Sequence, residues 1–346
     1  MMRRIALLGL LAALVACHGR SKQGSADDKT LAVASWGGDA DKTYRKVAEA
    51  FEKKYGVTIR WVPGTATENA AKVIATQGHP EFDVVFLENL GHAQISPRGV
   101  LATLDPKIIT HFDDLYEEAK LPSMDALPIG FLFSGFFYNP KEFEKRGWAP
   151  PQSWNDMFRP EFCHNIGFPH PNVSYGMNML IMLAGGKLDN VPDAITRFAK
   201  LKGCYPTLEL SSAKLEEKIQ LGEYLVGVSG DVRMLPLAKR GYPVKFVVPI
   251  EGTPLSYTVI APVTGAAHGE LAQRLCDWFI GPEAQKILLD DMFYLPANAK
   301  VEVPPEIIAL GKPGPEILSR AVKINGAAVA AKRHGWIRRI EHEAAP

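Results

Sequence analysis

The feature that most constrains the fold is a regular alternation of short apolar runs and helical patterns near the start of the chain. Residues 31–35, 57–62 and 83–87 are rich in apolar side chains and have the length of strands. Residues 41–55 and 67–76, which lie between them, carry apolar side chains at helical spacing. Buried strands that alternate with helices indicate an α/β fold with a parallel sheet covered on both faces.

Length and charge narrow the classes of function. The 346 residues include 39 basic and 38 acidic side chains, a formal net charge of +1. Removing the apolar N-terminal run and the polar stretch that follows it leaves a body of roughly 300 residues. This length favours two lobes over a single core. Interspersed charges of both signs argue against nucleic acid as a partner. A basic cluster at residues 332–339 is typical of a solvated helix face, and we assign it no function.

The N-terminus predicts export from the cytoplasm. Two arginines precede an apolar run at residues 5–16, which ends at Cys17. Twelve helical residues rise only about 18 Å, whereas a bilayer core is roughly 30 Å thick, so the run is too short for a permanent span. Residues 1–16 are therefore predicted to be a signal peptide. Residues 17–30, rich in Ser, Gly, Lys and Asp, are predicted to be a flexible spacer.

Residues 14–17, Leu-Val-Ala-Cys, resemble the lipobox of bacterial lipoproteins. The resemblance implies that the Cys17 thiol is lipidated and tethers the protein to a membrane surface outside the cytoplasm. The alternative is an ordinary secretory signal that happens to contain a cysteine. Both interpretations give a periplasmic or other extracytoplasmic protein.

A second set of strand and helix patterns follows a charge-free run at residues 127–138, rich in Phe and Gly. That run predicts either a pair of core strands or a segment that crosses between lobes. The last part of the chain, residues 299–346, is predicted to be a helical tail with Gly and Pro interruptions.

The remaining cysteines are suited to an oxidising compartment. Cys163 and Cys204 lie near the ends of neighbouring predicted segments in one half of the chain, which makes them the candidate disulfide pair. Cys276 lies in an apolar helical stretch and is predicted to be a buried small hydrophobe. The alternative is three free thiols.

Short motifs in a fixed order carry a family resemblance. They are SWGG at 35–38, AFEKKYGV at 50–57, FDVVF at 82–86, FYNP at 137–140, PPQSWND at 150–156, RPE at 159–161, LGE at 221–223, VVPIEGTP at 247–254, GPEAQ at 281–285 and YLPAN at 294–298. Together they resemble the extracellular solute-binding proteins of bacterial ABC importers. The resemblance is to the two-lobed group, periplasmic binding protein type 2, that includes iron(III), polyamine, thiamine and phosphonate binders.

The resemblance implies two α/β lobes joined by two crossing strands, near residues 130–138 and 257–262. The first lobe would be residues 31–129 plus 259–298, and the second lobe residues 138–256. A small ligand would bind in the cleft between them and favour lobe closure. The implied partners are this ligand and the permease and ATPase of an inner-membrane importer, and the chain is expected to be a monomer.

Loops that follow predicted strands should line such a cleft. The candidates from the first lobe are Trp36, Gly37, Gly38, Glu88 and Asn89, and those from the second lobe are Asn172, Ser174, Tyr175 and Asp231, with Tyr257 at the second crossing. The two glycines would let the backbone approach a ligand, and Trp36 would offer a flat apolar surface. Alternatively, Trp36 packs on the core and the glycines only form a turn.

The other candidates also have structural alternatives. A carboxylate at Glu88, after an apolar run, suits solvent or a ligand, or else caps a helix. Asn172 or Ser174 contacts the ligand or serves as an N-cap. In polyamine binders that this chain resembles, an acidic residue near Asp231 pairs with a ligand amine, although Arg233 lies close enough in sequence to neutralise it.

Three ligand classes remain open at this point. Aromatic Trp36 and Tyr257 with acidic Glu88 and Asp231 slightly favour an organic amine such as a polyamine or thiamine. An aminophosphonate would instead use helix N-termini, hydroxyl and amide groups and a basic side chain, which Asn172, Ser174, Ser229 and Arg233 supply. Iron(III) binders of the group usually carry adjacent tyrosines, and this sequence has no such pair.

We expect neither a cofactor nor a metal centre. His170 is the histidine placed near the cleft, and a lone histidine is more often a structural hydrogen-bond partner. The sequence contains no G-x-S-x-G, H-E-x-x-H or G-x-x-x-x-G-K motif, so no enzyme chemistry is legible. The alternatives from other classes are an exported sensory lipoprotein and a hydrolase.

Overall fold

The computed structural model describes residues 29–344. The predicted signal peptide, the lipidation at Cys17 and nearly all of the predicted spacer lie outside these residues. The strands are β1 (Thr30–Ser35), β2 (Thr58–Pro63), β3 (Val84–Glu88), β4 (Leu127–Leu132), β5 (Ser134–Tyr138), β6 (Ile166–Pro169), β7 (Leu208–Glu209), β8 (Val226–Gly230), β9 (Lys245–Val247), β10 (Thr253–Pro254), β11 (Ser256–Pro262) and β12 (Ala321–Val322). The α-helices are α1 (Gly38–Tyr55), α2 (Ala66–Ala75), α3 (Asn89–Ile95), α4 (Pro140–Arg146), α5 (Ser174–Leu183), α6 (Val191–Phe198), α7 (Ser212–Gln220), α8 (Asp231–Lys239), α9 (Gly269–Ile280), α10 (Pro282–Met292), α11 (Pro305–Ala309) and α12 (Gly326–Glu343).

The first sheet has the strand order β2-β1-β3-β11-β4. β1 is apolar on both faces because both faces of the sheet are covered: Leu31 and Val33 belong to one core cluster, and Ala34 belongs to another. β1 runs parallel to β2 and β3, whereas β11 is antiparallel to β3 and β4. The predicted parallel arrangement of the first three strands is confirmed. β11, a strand from late in the chain, inserts beside them in the opposite direction.

The second sheet has the order β7-β6-β8-β5-β9 and is mixed in the same way. β6 is parallel to β7 and β8, and β5 is antiparallel to β8 and β9. We call the first sheet with its helices lobe 1 and the second sheet with its helices lobe 2. The predicted two-lobed α/β fold of the type II periplasmic binding proteins is confirmed.

Two consecutive strand pairs carry the chain between the lobes. β4 belongs to lobe 1 and β5 to lobe 2, so the first crossing is at the fully buried Phe133, inside the charge-free run. The second crossing is at Leu255, between β10 and β11. Its predicted position at residues 257–262 is wrong, because β11 is already paired there with β3 and β4 of lobe 1.

The segment that follows residue 298 is helical in part, as predicted, and it packs against both lobes. β12 pairs with β10 beside the second crossing. Ile307 of α11 packs with Leu235 of α8 and with Phe293, which directly follows α10. Farther along, α12 contributes Trp336 and Ile340 to the core of lobe 2. The segment is thus a third connection between the lobes.

The cysteine predictions are confirmed within the described residues. Cys163 and Cys204 form a disulfide, with their Cα atoms 4.4 Å apart. Cys276 is free and fully buried, and this burial raises the pKa of its thiol.

Candidate functional site

The ends of strands from both lobes define one gap. β1 and β3 of lobe 1 end at Ser35 and Glu88, and β6 and β8 of lobe 2 end at Pro169 and Gly230. Parallel strands present their carboxyl ends at the same edge of a sheet, and ligands of open α/β folds bind outside that edge. We call the gap between the two edges the cleft.

The loop from Trp36 to Gly38 turns β1 into α1. Gly37 and Gly38 have φ angles of 74° and 64°, a left-handed conformation that glycine adopts without steric cost. The half-buried Trp36 ring lies 6.2 Å from the ring of Tyr44, measured between centroids, so it does pack on the core. Its indole Nε1–H is nevertheless buried with no hydrogen-bond partner among the described residues. A buried donor of this kind is typical of a site that a ligand or water completes.

Glu88 ends β3 at the lobe 1 edge of the cleft. It occupies the N-cap position of α3, yet its side chain makes no capping hydrogen bond, so the cap interpretation is wrong. The side chain of Glu88 is exposed to solvent. Desolvation by the neighbouring protein raises the pKa of the carboxyl, against opposing effects of Arg333 and then Arg233. Glu88 is thus within electrostatic range of two arginines that follow it far along the chain.

Tyrosines from the two lobes lie within electrostatic reach of the same charged groups. Burial raises the pKa of Tyr175 in lobe 2, Arg233 lowers it, and Asp231 and Glu88 raise it. Burial also raises the pKa of Tyr294 in lobe 1. Glu88 raises this pKa further, and Arg233 lowers it. Both hydroxyls are therefore protonated at neutral pH, and that of Tyr294 already shares a hydrogen bond with Thr258 Oγ1 at 3.2 Å.

The loop before α5 brings backbone groups to the lobe 2 edge. The N-cap of α5 is Val173, which provides no side-chain cap, so neither Asn172 nor Ser174 caps this helix. The Asn172 N–H instead donates to His170 Nδ1 at 3.1 Å, which gives His170 the predicted structural role. Tyr175 packs against Gly230, where a Cβ atom would lie 2.3 Å from the tyrosine ring, so only glycine fits there.

Asp231 does not face the cleft as a free carboxylate, which corrects its predicted role as a partner of a ligand amine. Both Asp231 and Lys312 are fully buried, with Lys312 Nζ 2.5 Å from Asp231 Oδ2. Asp231 Oδ1 accepts hydrogen bonds from the N–H groups of Phe133 and Val232. Lys312, and not the predicted Arg233, neutralises this carboxylate.

Arg233 is a half-exposed residue of α8, and its guanidinium Nη1 lies 3.6 Å from Glu216 Oε1. Ser229 is buried at the end of β8, and its Oγ has no hydrogen-bond partner among the described residues.

Two predicted residues lie near the second crossing. Asn89 Nδ2 is 3.5 Å from the carbonyl oxygen of Leu255, and Tyr257 is half buried in β11.

Sequence reasoning missed three residues of this region: Tyr44, Tyr294 and Arg333. Tyr44 lies on the buried side of α1, where its role is to pack in the core. Tyr294 begins the YLPAN motif, which points to the family without giving the residue a role. Arg333 belongs to the basic cluster that received no function. It reaches the cleft because its Nη2 donates to the carbonyl oxygen of Asn172 at 2.8 Å.

Residues 29–344 contain neither a metal-binding cluster nor a membrane-spanning helix. No three His, Cys, Asp or Glu side chains there are grouped so that they could hold a metal ion. None of the helices in that part of the chain combines the length and apolar character needed to cross a membrane.

Comparisons with known proteins agree with the fold. A Salmonella typhi protein provisionally named as a 2-aminoethylphosphonate-binding periplasmic protein is 24% identical over 272 residues, 76% of this chain and 77% of its own. The spermidine/putrescine-binding periplasmic protein 1 of Haemophilus influenzae is 23% identical over 86% of this chain and 85% of its own. The crystal structure of an ABC transporter protein from Clostridium perfringens superposes with a TM-score of 0.77 at 22% identity, covering 91% of this chain and 99% of that one.

The sequence profile of the bacterial extracellular solute-binding proteins matches residues 46–312. This match includes most of both lobes and both crossings. Its members are periplasmic binding proteins rather than enzymes. The chain therefore belongs to the family of bacterial extracellular solute-binding proteins, and it is the solute-binding component of an ABC importer.

Proposed function

We propose that the solute is a small zwitterion that carries a phosphonate-type anion and an amine, as 2-aminoethylphosphonate does. The observation that carries this proposal is the pair of opposite charges on the two lobes. Glu88 of lobe 1 lies opposite Thr258, whose hydroxyl contacts that of Tyr294 at 3.2 Å, and Arg233 of lobe 2 closely follows Gly230, on which Tyr175 packs. Both charges also act on the pKa values of the two tyrosines, which supports a common cleft for these groups.

The anionic end of the ligand would bind at lobe 2. The first turn of α5 has no side-chain cap, and a helix N-terminus presents unpaired N–H groups and a partial positive charge to an anion. The buried, unpartnered hydroxyl of Ser229 and the guanidinium of Arg233 add further donors. Tyr175 connects these groups, because it lies in the first turn of α5 and packs on Gly230, next to Ser229.

The amine end would bind at lobe 1. Glu88 offers a carboxylate that makes no capping hydrogen bond to α3. An ammonium group there would lie near the half-buried Trp36, which follows the neighbouring strand β1 and whose ring face attracts cations. A cation would also lower the pKa of Glu88, which the surrounding protein raises.

A polyamine is less well supported by the same charges. Its several ammonium groups would need several carboxylates, and Asp231, one of the two predicted, is neutralised by Lys312 inside the protein. Arg233 and Arg333 place positive charge near the remaining carboxylate of Glu88. The slight preference for an organic amine from the sequence thus gives way to the aminophosphonate alternative, and one of the relatives is named for a ligand of this class.

Binding would proceed by lobe closure. A ligand that contacts Glu88 and Arg233 at once interacts with both lobes only when they are close, so it favours the closed form without any chemical change in the ligand. The protein would act as a monomer, tethered at Cys17 by lipid, and would deliver the solute to its permease.

Isothermal titration calorimetry tests the proposal. The wild-type protein should bind 2-aminoethylphosphonate saturably and at least tenfold more tightly than putrescine or spermidine. Because a charged hydrogen bond contributes about 1.5–3 kcal/mol, Arg233→Gln and Glu88→Gln should each weaken binding roughly 10- to 100-fold. The control Arg98→Gln changes an exposed arginine of lobe 1 and should have no effect. Tighter binding of either polyamine, or unchanged affinity in both cleft variants, would contradict the proposal.

A further inference from the structure

The C-terminal helix α12 lies beyond the part of the chain that the family profile matches, which ends at residue 312. Its first residue, Gly326, packs against α3 of lobe 1, where an added Cβ would lie 3.0 Å from Ala93 and 3.2 Å from Leu90. Past its other end, the carbonyl oxygen of Ala344 accepts a hydrogen bond from the hydroxyl of Tyr205 in lobe 2. The helix therefore extends from one lobe to the other.

Arg333 lies near the middle of α12, and lobe 2 fixes its position. Its Nη2 donates to the carbonyl oxygens of Asn172 at 2.8 Å and Pro171 at 3.4 Å, both in the loop that leads into α5. Its Nε is buried without a hydrogen-bond partner among residues 29–344. The guanidinium is thus preorganised beside the uncapped start of α5 and retains an unused N–H group.

The charge of Arg333 also reaches the opposite lobe. Of the positive groups that act on the Glu88 carboxyl, Arg333 has the largest effect and Arg233 the next. The two arginines come from different helices, α12 and α8, and both helices meet the start of α5: Arg333 donates to the carbonyl oxygen of Asn172, and Gly230, just before α8, packs on Tyr175. A doubly charged anion between them would meet two cations, whereas a single arginine would suffice for a carboxylate.

We infer that Arg333 is a second cationic contact for the anionic group of the ligand, and that it makes the cleft prefer a phosphonate or phosphate dianion over a carboxylate. This inference rests on the proposed function in requiring that an anionic group binds at the start of α5. It adds that a helix outside the family profile determines specificity.

The test compares two ligands that differ in the anionic group alone: 2-aminoethylphosphonate and 3-aminopropanoate. Calorimetry with Arg333→Gln should show a roughly 10- to 100-fold loss of affinity for the phosphonate and less than about fivefold for the carboxylate. Arg333→Lys keeps the charge without the planar fork and should be intermediate. The control Arg338→Gln, an exposed arginine of the same helix, should match wild type.

An equal loss for both ligands in Arg333→Gln would mean that Arg333 merely holds the α5 loop, and would overturn the inference, as would no loss for either. If Arg233→Gln weakens phosphonate binding and Arg333→Gln does not, the proposed function stands and this inference fails. If 2-aminoethylphosphonate does not bind but inorganic phosphate raises the Tm in an Arg333-dependent way, the inference stands and the zwitterion proposal fails. If neither probe binds wild type, both are overturned. If Arg333→Gln does not fold, the ratio of the affinities of Arg333→Lys for 2-aminoethylphosphonate and 3-aminopropanoate decides: a ratio below that of the wild type supports the inference, and an unchanged ratio overturns it.

Discussion

Replacing Lys312 by methionine should destabilise the protein by about 3–5 kcal/mol, because removing one partner of a buried ion pair leaves an uncompensated charge. Lys312 and Asp231 are fully buried, and their charged atoms lie 2.5 Å apart. In Lys312→Met the carboxylate of Asp231 would keep only two backbone donors, the N–H groups of Phe133 and Val232, at 2.9 and 2.8 Å. Neither donor supplies a compensating full charge.

Urea unfolding followed by tryptophan fluorescence measures this loss of stability. A loss of 3–5 kcal/mol should also lower the Tm by roughly 6–20 °C, at about 2–4 °C per kcal/mol for a protein of this size class. The double variant Asp231→Asn/Lys312→Met removes both charges and should recover much of the loss. The control Lys46→Met breaks an exposed pair with Asp291 and should cost less than about 1 kcal/mol.

The account of this pair is refuted if Lys312→Met unfolds within about 1 kcal/mol of wild type. The same experiment separates two roles of Asp231. If Asp231 bound the ligand, as the sequence suggested, Asp231→Ala would lose affinity for the ligand without any change in the urea concentration at which the protein unfolds. A buried structural carboxylate requires that Asp231→Ala unfolds at lower urea concentration.

Three further predictions concern other parts of the chain. Trp36→Phe keeps the ring packing on Tyr44 but removes the indole N–H, which is buried without a partner among the described residues. Calorimetry should show weaker binding of 2-aminoethylphosphonate, and the Tm should be unchanged or higher. A large fall in Tm would contradict this prediction. Hydrogen bonds from His92, Ser123 and Ser96 overcome the effect of burial and lower the pKa of Asp125 to about 2. This carboxylate should therefore contribute about 2 kcal/mol of stability above pH 4, which is lost as the pH falls to 2. The free energy of unfolding of the wild type should fall over this pH range, and an equal fall in Asp125→Asn would exclude Asp125 as its cause. Cys17→Ser should move the protein from the membrane fraction to the soluble fraction in cell fractionation, and continued membrane association would rule out the lipid tether.

Much of the fold could be predicted because its strands are short apolar runs with clear ends. The runs at residues 31–35, 57–62 and 83–87 match β1, β2 and β3 to within one residue at each end. The charge-free run at residues 127–138 admitted two interpretations, and both are correct, because it forms two strands that cross between lobes at Phe133. The antiparallel pairing of β11 with β3 could not be predicted, since the two strands are more than 150 residues apart in sequence.

The cleft was harder to predict because its charges are set by distant partners. Asp231 looked free in the sequence, but Lys312, 81 residues away, neutralises it. Asn172 resembled a helix cap, but its carbonyl oxygen accepts from Arg333, 161 residues away. Residue type and local spacing gave the positions of Trp36, Glu88 and Tyr175 along the chain; which of these groups keep an unpaired donor or acceptor depends on tertiary contacts.

A crystal structure of the protein with 2-aminoethylphosphonate would test the central claim most directly. We predict one ligand between closed lobes, with its phosphonate oxygens within hydrogen-bond distance of Arg233 and the first N–H groups of α5, and its ammonium within that distance of Glu88. A ligand that contacts one lobe alone, or that binds in the reverse orientation with its ammonium at Arg233, would contradict the account.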